Sequence, residues 1–165
     1  MERIPEPGDG DERAILLGWL AFHRNALEAK CDGLDAEQLV LRSAPPSALS
    51  LLGLVRHITE MERGYAAWAL GPKGPLEYVW GAYEDGGPEW DFDVDGSMVD
   101  VSMASWRAER QRTDERLADY AALDEVGPGN GRTLRWNLTK LIGEYARHNG
   151  HADLLRERID GATGE

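Results

Sequence analysis

The sequence predicts an all-α fold, a four-helix bundle formed by a single domain. Three observations carry this. Four long segments repeat apolar residues at intervals of three and four, the period of a helix face. No segment sustains the alternation of apolar β-branched residues that marks a half-buried strand. Turn signals separate the segments: Asp32-Gly33, Pro45-Pro46, Gly71-Pro72 and the run 127–131. At 165 residues, the chain is long enough to bury a core without staples.

The first helix is expected over residues 11–30. Leu16, Leu20, His23 and Leu27 make its apolar stripe, Asp9 or Asp11 caps its start and Asp32-Gly33 stops it. His23 lies among aromatic neighbours in that stripe and reads as a packed core residue. Asp35 and Gln38 resemble a capping box and predict a short helical turn. The second helix opens near Ser47 or Ser50 and runs to Leu70, with Leu51, Leu54, Ile58, Met61, Tyr65 and Trp68 on its apolar face. The wheel turns His57 inward as well.

Residues 73–96 have no helical period, and a connection this long is unusual inside a compact domain. Its aromatic residues, Tyr78, Trp80, Tyr83, Trp90 and Phe92, predict that it packs on the bundle. Within it, Asp91, Asp93, Asp95 and Gly96 match the first half of an EF-hand loop. The twelfth position holds Ser102 where a bidentate glutamate is needed, and Gly-Gly-Pro precedes the run where a helix belongs. The run therefore reads as an acidic turn. The third helix is expected from Ser97 to about Leu123, and the fourth from Thr133 to Ile159, where Leu134, Leu138, Leu141, Tyr145, His148, Ala152, Leu155 and Ile159 alternate at four and three. A second helix of this length spans ~30 Å at 1.5 Å per residue. The long connection can cross that distance, so an up-down-down-up order with the second and third helices parallel is allowed.

Composition excludes several classes of function. A net charge of -12 repels nucleic acid and anionic membrane surfaces. No stretch approaches the ~20 apolar residues of a membrane span. The N-terminus lacks the apolar region of a signal peptide. A single cysteine, Cys31, allows no intrachain disulfide and no thiolate metal cluster within one chain. Together these point to a cytoplasmic protein with Cys31 packed.

The chemistry concentrates near the C-terminus. Glu144, His148 and His151 are spaced four and three apart, so all three share one helix face. If the second and fourth helices run antiparallel, the depths of His57 and His148 differ by only ~6 Å. Two inward histidines then meet near one end of the bundle, and Glu144 or His151 supplies a third ligand. Three nitrogen or oxygen ligands with one open position make a catalytic divalent-metal site. The competing reading is a packed polar core. An acid on the same face weighs against it, because a buried carboxylate needs a partner.

The runs Leu51-Leu52-Gly53-Leu54-Val55-Arg56-His57-Ile58 and 144–157, with Leu16-Leu17-Gly18-Trp19 and Gly33-Leu34, resemble the DinB-like superfamily. Within it they resemble an actinobacterial branch labelled mini-circle protein. The resemblance covers nearly the whole chain. It implies an up-down-down-up four-helix bundle, a homodimer, and a divalent ion, zinc or nickel, held by one histidine of the second helix and two ligands four apart on the fourth. Those positions are His57, Glu144 and His148 here. Many relatives carry a histidine where Glu144 stands; the glutamate resembles the mycothiol-dependent maleylpyruvate isomerase branch. His151 is left as a fourth ligand, a supporting group or a proton carrier. The resemblance further implies a metal-dependent transferase or isomerase that activates a low-molecular-weight thiol such as mycothiol for attack on an electrophile. Arg56, Arg147 and Arg63 are candidate contacts for the thiol, against the plainer reading of solvated surface arginines. The alternative to an enzyme is a non-catalytic metal-binding or stress-response dimerisation module, its coordination closed by His151.

Overall fold

The computed structural model describes residues 2–80 and 91–164. All of its regular elements are helical. Tyr83 and Trp90, expected to pack on the bundle, lie outside the described residues. Helix α1 spans Glu12–Cys31 and opens on Asp11, whose carboxylate accepts from the Ala14 amide. That bond satisfies a donor the helix itself cannot. Gly33 follows its end at φ +77°. The short α2, Ala36–Val40, carries the capping box formed by Asp35 and Gln38.

Helix α3, Leu51–Glu62, starts at Ser50, whose hydroxyl accepts from the Gly53 amide. The expected run to Leu70 holds in extent but changes character. Arg63–Trp68 forms a π-helical turn, the kind of single-turn widening that often marks functional regions. A 3₁₀ turn, Gly96–Met98, capped by Asp95, leads into α4, Val99–Ala118. The expected extension of this helix to Leu123 is not borne out, and hydrogen bonding explains the earlier stop. Arg13 donates to the Leu117 carbonyl and the Tyr120 hydroxyl to the Leu70 carbonyl. The carbonyls of Leu123 and Glu125 take the amides of Arg135 and Leu134. The segment thus serves the otherwise unpaired donors at the start of the last helix, and a continued α4 would withdraw those acceptors. Helix α5, Leu134–Asp160, is capped by Thr133 and ends at Gly161, φ +80°.

Cross-helix contacts set the topology. Arg135 pairs with Glu12 at one end of α5 and Asp153 with Lys30 toward the other, so α1 and α5 run parallel. His57 meets His148 while Glu62 meets Tyr145, so α3 and α5 are antiparallel. Arg56 reaches Met98 and the Glu62 carbonyl reaches Thr113, so α3 and α4 are parallel. The order is up-down-down-up.

Leu20, Leu27, Leu51, Leu54, Ile58, Trp106, Leu138 and Leu141 fill the core between these helices. A polar network crosses it. The Arg24 guanidinium forms a bidentate pair with Glu62 at 2.7 Å on both arms. The Tyr145 hydroxyl donates to Glu62 at 2.6 Å, and the Trp106 indole donates to Tyr145 at 2.8 Å. Burial alone would release the Arg24 proton more readily, but the Glu62 charge outweighs it and holds the guanidinium charged.

Candidate metal centre

The site grows from the antiparallel faces of α3 and α5. On α3, Leu54, Val55 and Ile58 are fully buried and anchor the helix. His57, on the adjacent face, looks across at His148 on α5, with ring centroids 4.6 Å apart. Glu144 sits one turn before His148 on the same face. One ligand atom each from His57, Glu144 and His148 lies within 4.8 Å of the others. Among the described residues this trio can hold a metal ion. The expected meeting of His57 with the α5 pair is therefore present, at closely matched depth.

Each member of the trio is engaged from behind. Asp91 Oδ2 lies 3.1 Å from His57 Nδ1. Lys140 Nζ donates to Glu144 Oε1 at 2.5 Å. His151 Nδ1 lies 3.3 Å from His148 Nδ1. The atoms left over are His57 Nε2, Glu144 Oε2 and His148 Nε2, the last two 3.7 Å apart. Outer partners of this kind fix ring orientation and tautomer in metal sites and are a large part of their design.

Electrostatics favours the ligand-competent forms. Burial, then the neighbouring His57 and His151, pushes the His148 pKa down to about 4, so its imidazole is neutral at pH 7. For Glu144, burial raises the pKa, but the Lys140 hydrogen bond and the charges of Lys140 and Arg147 outweigh it and hold the carboxyl below its usual range. A neutral imidazole and an ionised carboxylate are the states metal binding demands.

The remaining predicted residues are placed as follows. His151 stands behind His148, its ring centroid 5.2 Å from that of His148. Arg56 stacks on Trp80, its guanidinium carbon 4.2 Å from the ring, and its carbonyl accepts the Trp80 indole N–H. It pins the long connection to α3. Arg63 is occupied by Glu109 and the Glu77 carbonyl. Arg147 is exposed and, with Lys140, Glu144 and Trp136, lines a shallow cleft of about 260 Å³. His23 stacks on Trp19 and its carbonyl accepts from Asn149, so it is packed as the sequence suggests. Burial pushes the Cys31 thiol up to about 12, which leaves it protonated and inert. The acidic turn does not converge on one cation: Asp91 turns to His57, Asp95 to Ser97, and Asp93 is exposed. A larger cavity of about 710 Å³, walled by Trp19, Phe22 and both terminal segments, touches none of the trio. Its volume says nothing about the chemistry.

A family model described as mycothiol-S-transferase matches residues 15–161, nearly the whole chain. The chain belongs to that family. No curated protein and no solved structure matches the chain. The mycothiol-S-transferase family accords with the DinB-like resemblance. Sequence reasoning missed Asp91 and Lys140 as partners of the trio. Lys140 was open to detection, because it lies one turn before Glu144 on α5 and oppositely charged residues at that spacing meet. Asp91 carried no such signal: it is 34 positions from His57, across the long connection.

Proposed function

We propose that this protein is a metal-dependent transferase or isomerase that uses a small thiol such as mycothiol, with the ion held by His57, Glu144 and His148. The convergence of that trio within 4.8 Å is the observation that carries the reading. Two imidazole nitrogens and one carboxylate oxygen suit zinc or nickel, and three protein ligands leave a position open for a reactant. A divalent ion there supplies Lewis acidity that lowers the pKa of a thiol.

The chain's own groups do the rest. Asp91 and His151 stand at the Nδ1 atoms of the two histidines, which leaves both Nε2 atoms for the site. Lys140 takes one oxygen of Glu144 and leaves the other for the site. The cleft beside Glu144, with Arg147, Lys140 and the Trp136 ring, would offer a polar and aromatic wall for a substrate.

Elemental analysis of protein purified without an affinity tag tests the ligand set. The expected result is about one divalent ion per chain, lost in His57→Ala and in His148→Ala, with chelation lowering the melting temperature of the native protein. Retention of the ion by both variants overturns the assignment. Cobalt substitution tests the thiol. Addition of a small thiol to the cobalt protein is expected to produce a sulfur-to-cobalt charge-transfer band. An unchanged spectrum favours the non-catalytic module, its coordination closed by protein groups.

A further inference from the structure

Helix α3 contains one glycine, Gly53, one turn before His57. Gly53 stands in the first turn of α3, where Ser50 caps its amide, and glycine is a weak helix former, so its presence calls for a reason. The chain supplies one by crossing this point. A Cβ built on Gly53 would lie 2.8 Å from Phe92 Cδ1 and 3.1 Å from Phe92 Cα, and the second of these is backbone that cannot swing aside. Gly53 is a notch into which the chain at Phe92 descends. From that seat the Phe92 ring stacks on His57, centroids 5.7 Å apart and planes 24° from parallel. The preceding residue brings its carboxylate to His57 Nδ1, at 3.1 Å. The face and the rear nitrogen of the same imidazole are therefore set by two consecutive residues, 34 and 35 positions away in sequence, seated by a missing side chain.

We propose that Asp91 is a positioning residue for His57, carried on a strap that Gly53 seats and Phe92 clamps. The carboxylate accepts from Nδ1–H, fixes the tautomer and leaves the Nε2 lone pair directed into the trio. This rests on the reading of His57 as a metal ligand, but the tautomer it predicts belongs to the metal-free protein.

The test uses the full chain. Long-range proton–nitrogen NMR of the metal-free protein, at alkaline pH, reads the His57 tautomer; competition titration with zinc reads affinity. The wild type is expected to show the Nδ1–H form. Asp91→Ala is expected to lose that single form and to weaken zinc binding roughly 10- to 100-fold. Gly53→Ala, which leaves Asp91 in the sequence, is expected to do the same by lifting the strap. Asp91→Asn keeps an accepting oxygen and is expected to retain the tautomer while losing part of the affinity. An unchanged Nδ1–H form in Asp91→Ala overturns the proposal, as does zinc affinity in both alanine variants within about twofold of wild type, set against that expected range. If the wild type binds no zinc yet the tautomer shifts as expected, the metal reading fails and the strap stands.

Discussion

His148 is the residue on which electrostatics and chemistry meet. Its ordinary pKa of 6.5 falls to about 4 because burial and two neighbouring histidines disfavour its cation. Between those two values the unfolded chain binds a proton that the folded chain refuses. Stability of the metal-free protein therefore rises with pH across this window and is lost as pH falls through it. Discounted for solvent screening, the shift corresponds to at most about 3 kcal/mol. Chemical denaturation of the metal-free protein from pH 7 to pH 4 is expected to show this loss, and His148→Asn to flatten the slope by a similar amount. An equal slope in the variant would place the acid sensitivity elsewhere. Glu144 works in the same direction, since Lys140 and Arg147 keep it ionised and its lowered pKa also makes the folded chain refuse a proton as pH falls. The two residues present a lone pair and a negative charge to the same point at neutral pH.

At the scale of elements, the site depends on how α3 and α5 pack, which brings His57 opposite His148. Ser50 and Thr133 cap these two helices through side-chain oxygens. Thr133 lies more than two turns before Glu144 on α5, far enough that its contribution is to the helix and not to the trio. Thr133→Ala is expected to destabilise the protein by about 1 kcal/mol, read from the denaturation midpoint, with zinc affinity unchanged. Capping, period and turn residues are local, and for that reason the starts of α1, α2, α3 and α5 were legible in the sequence. The end of α4 was not. Residues 119–123 have the composition to continue a helix, but the carbonyl of Leu123 is claimed by the Arg135 amide and that of Glu125, just beyond, by the Leu134 amide, bonds that no local pattern announces. The π-helical turn at Arg63–Trp68 escaped notice for the same reason, since its apolar spacing passes for an ordinary helix.

Across the whole molecule, the buried network of Arg24, Glu62, Tyr145 and Trp106 joins all four long helices, just inward of the trio. Glu62 is fully buried and Arg24 nearly so. Removing one partner strands a charge in the core, which costs more than the intact pair contributes. Glu62→Ala is expected to lose about 3–5 kcal/mol in chemical denaturation. Glu62→Leu combined with Arg24→Met is expected to recover much of that loss, because neither charge then remains buried. If the double variant is no more stable than the single one, the network has a role beyond charge pairing. By itself the sequence determined the helical class, because helical period is written in adjacent turns; spacing offered His57, His148 and either Glu144 or His151 as ligands, and only the family resemblance singled out Glu144. Only the tertiary structure decided that the three reach one point, that Asp91 and Lys140 stand behind two of them, and that His151 stands behind the third. Those contacts come from packing separate elements, and Gly53, by having no side chain, lets one of them close.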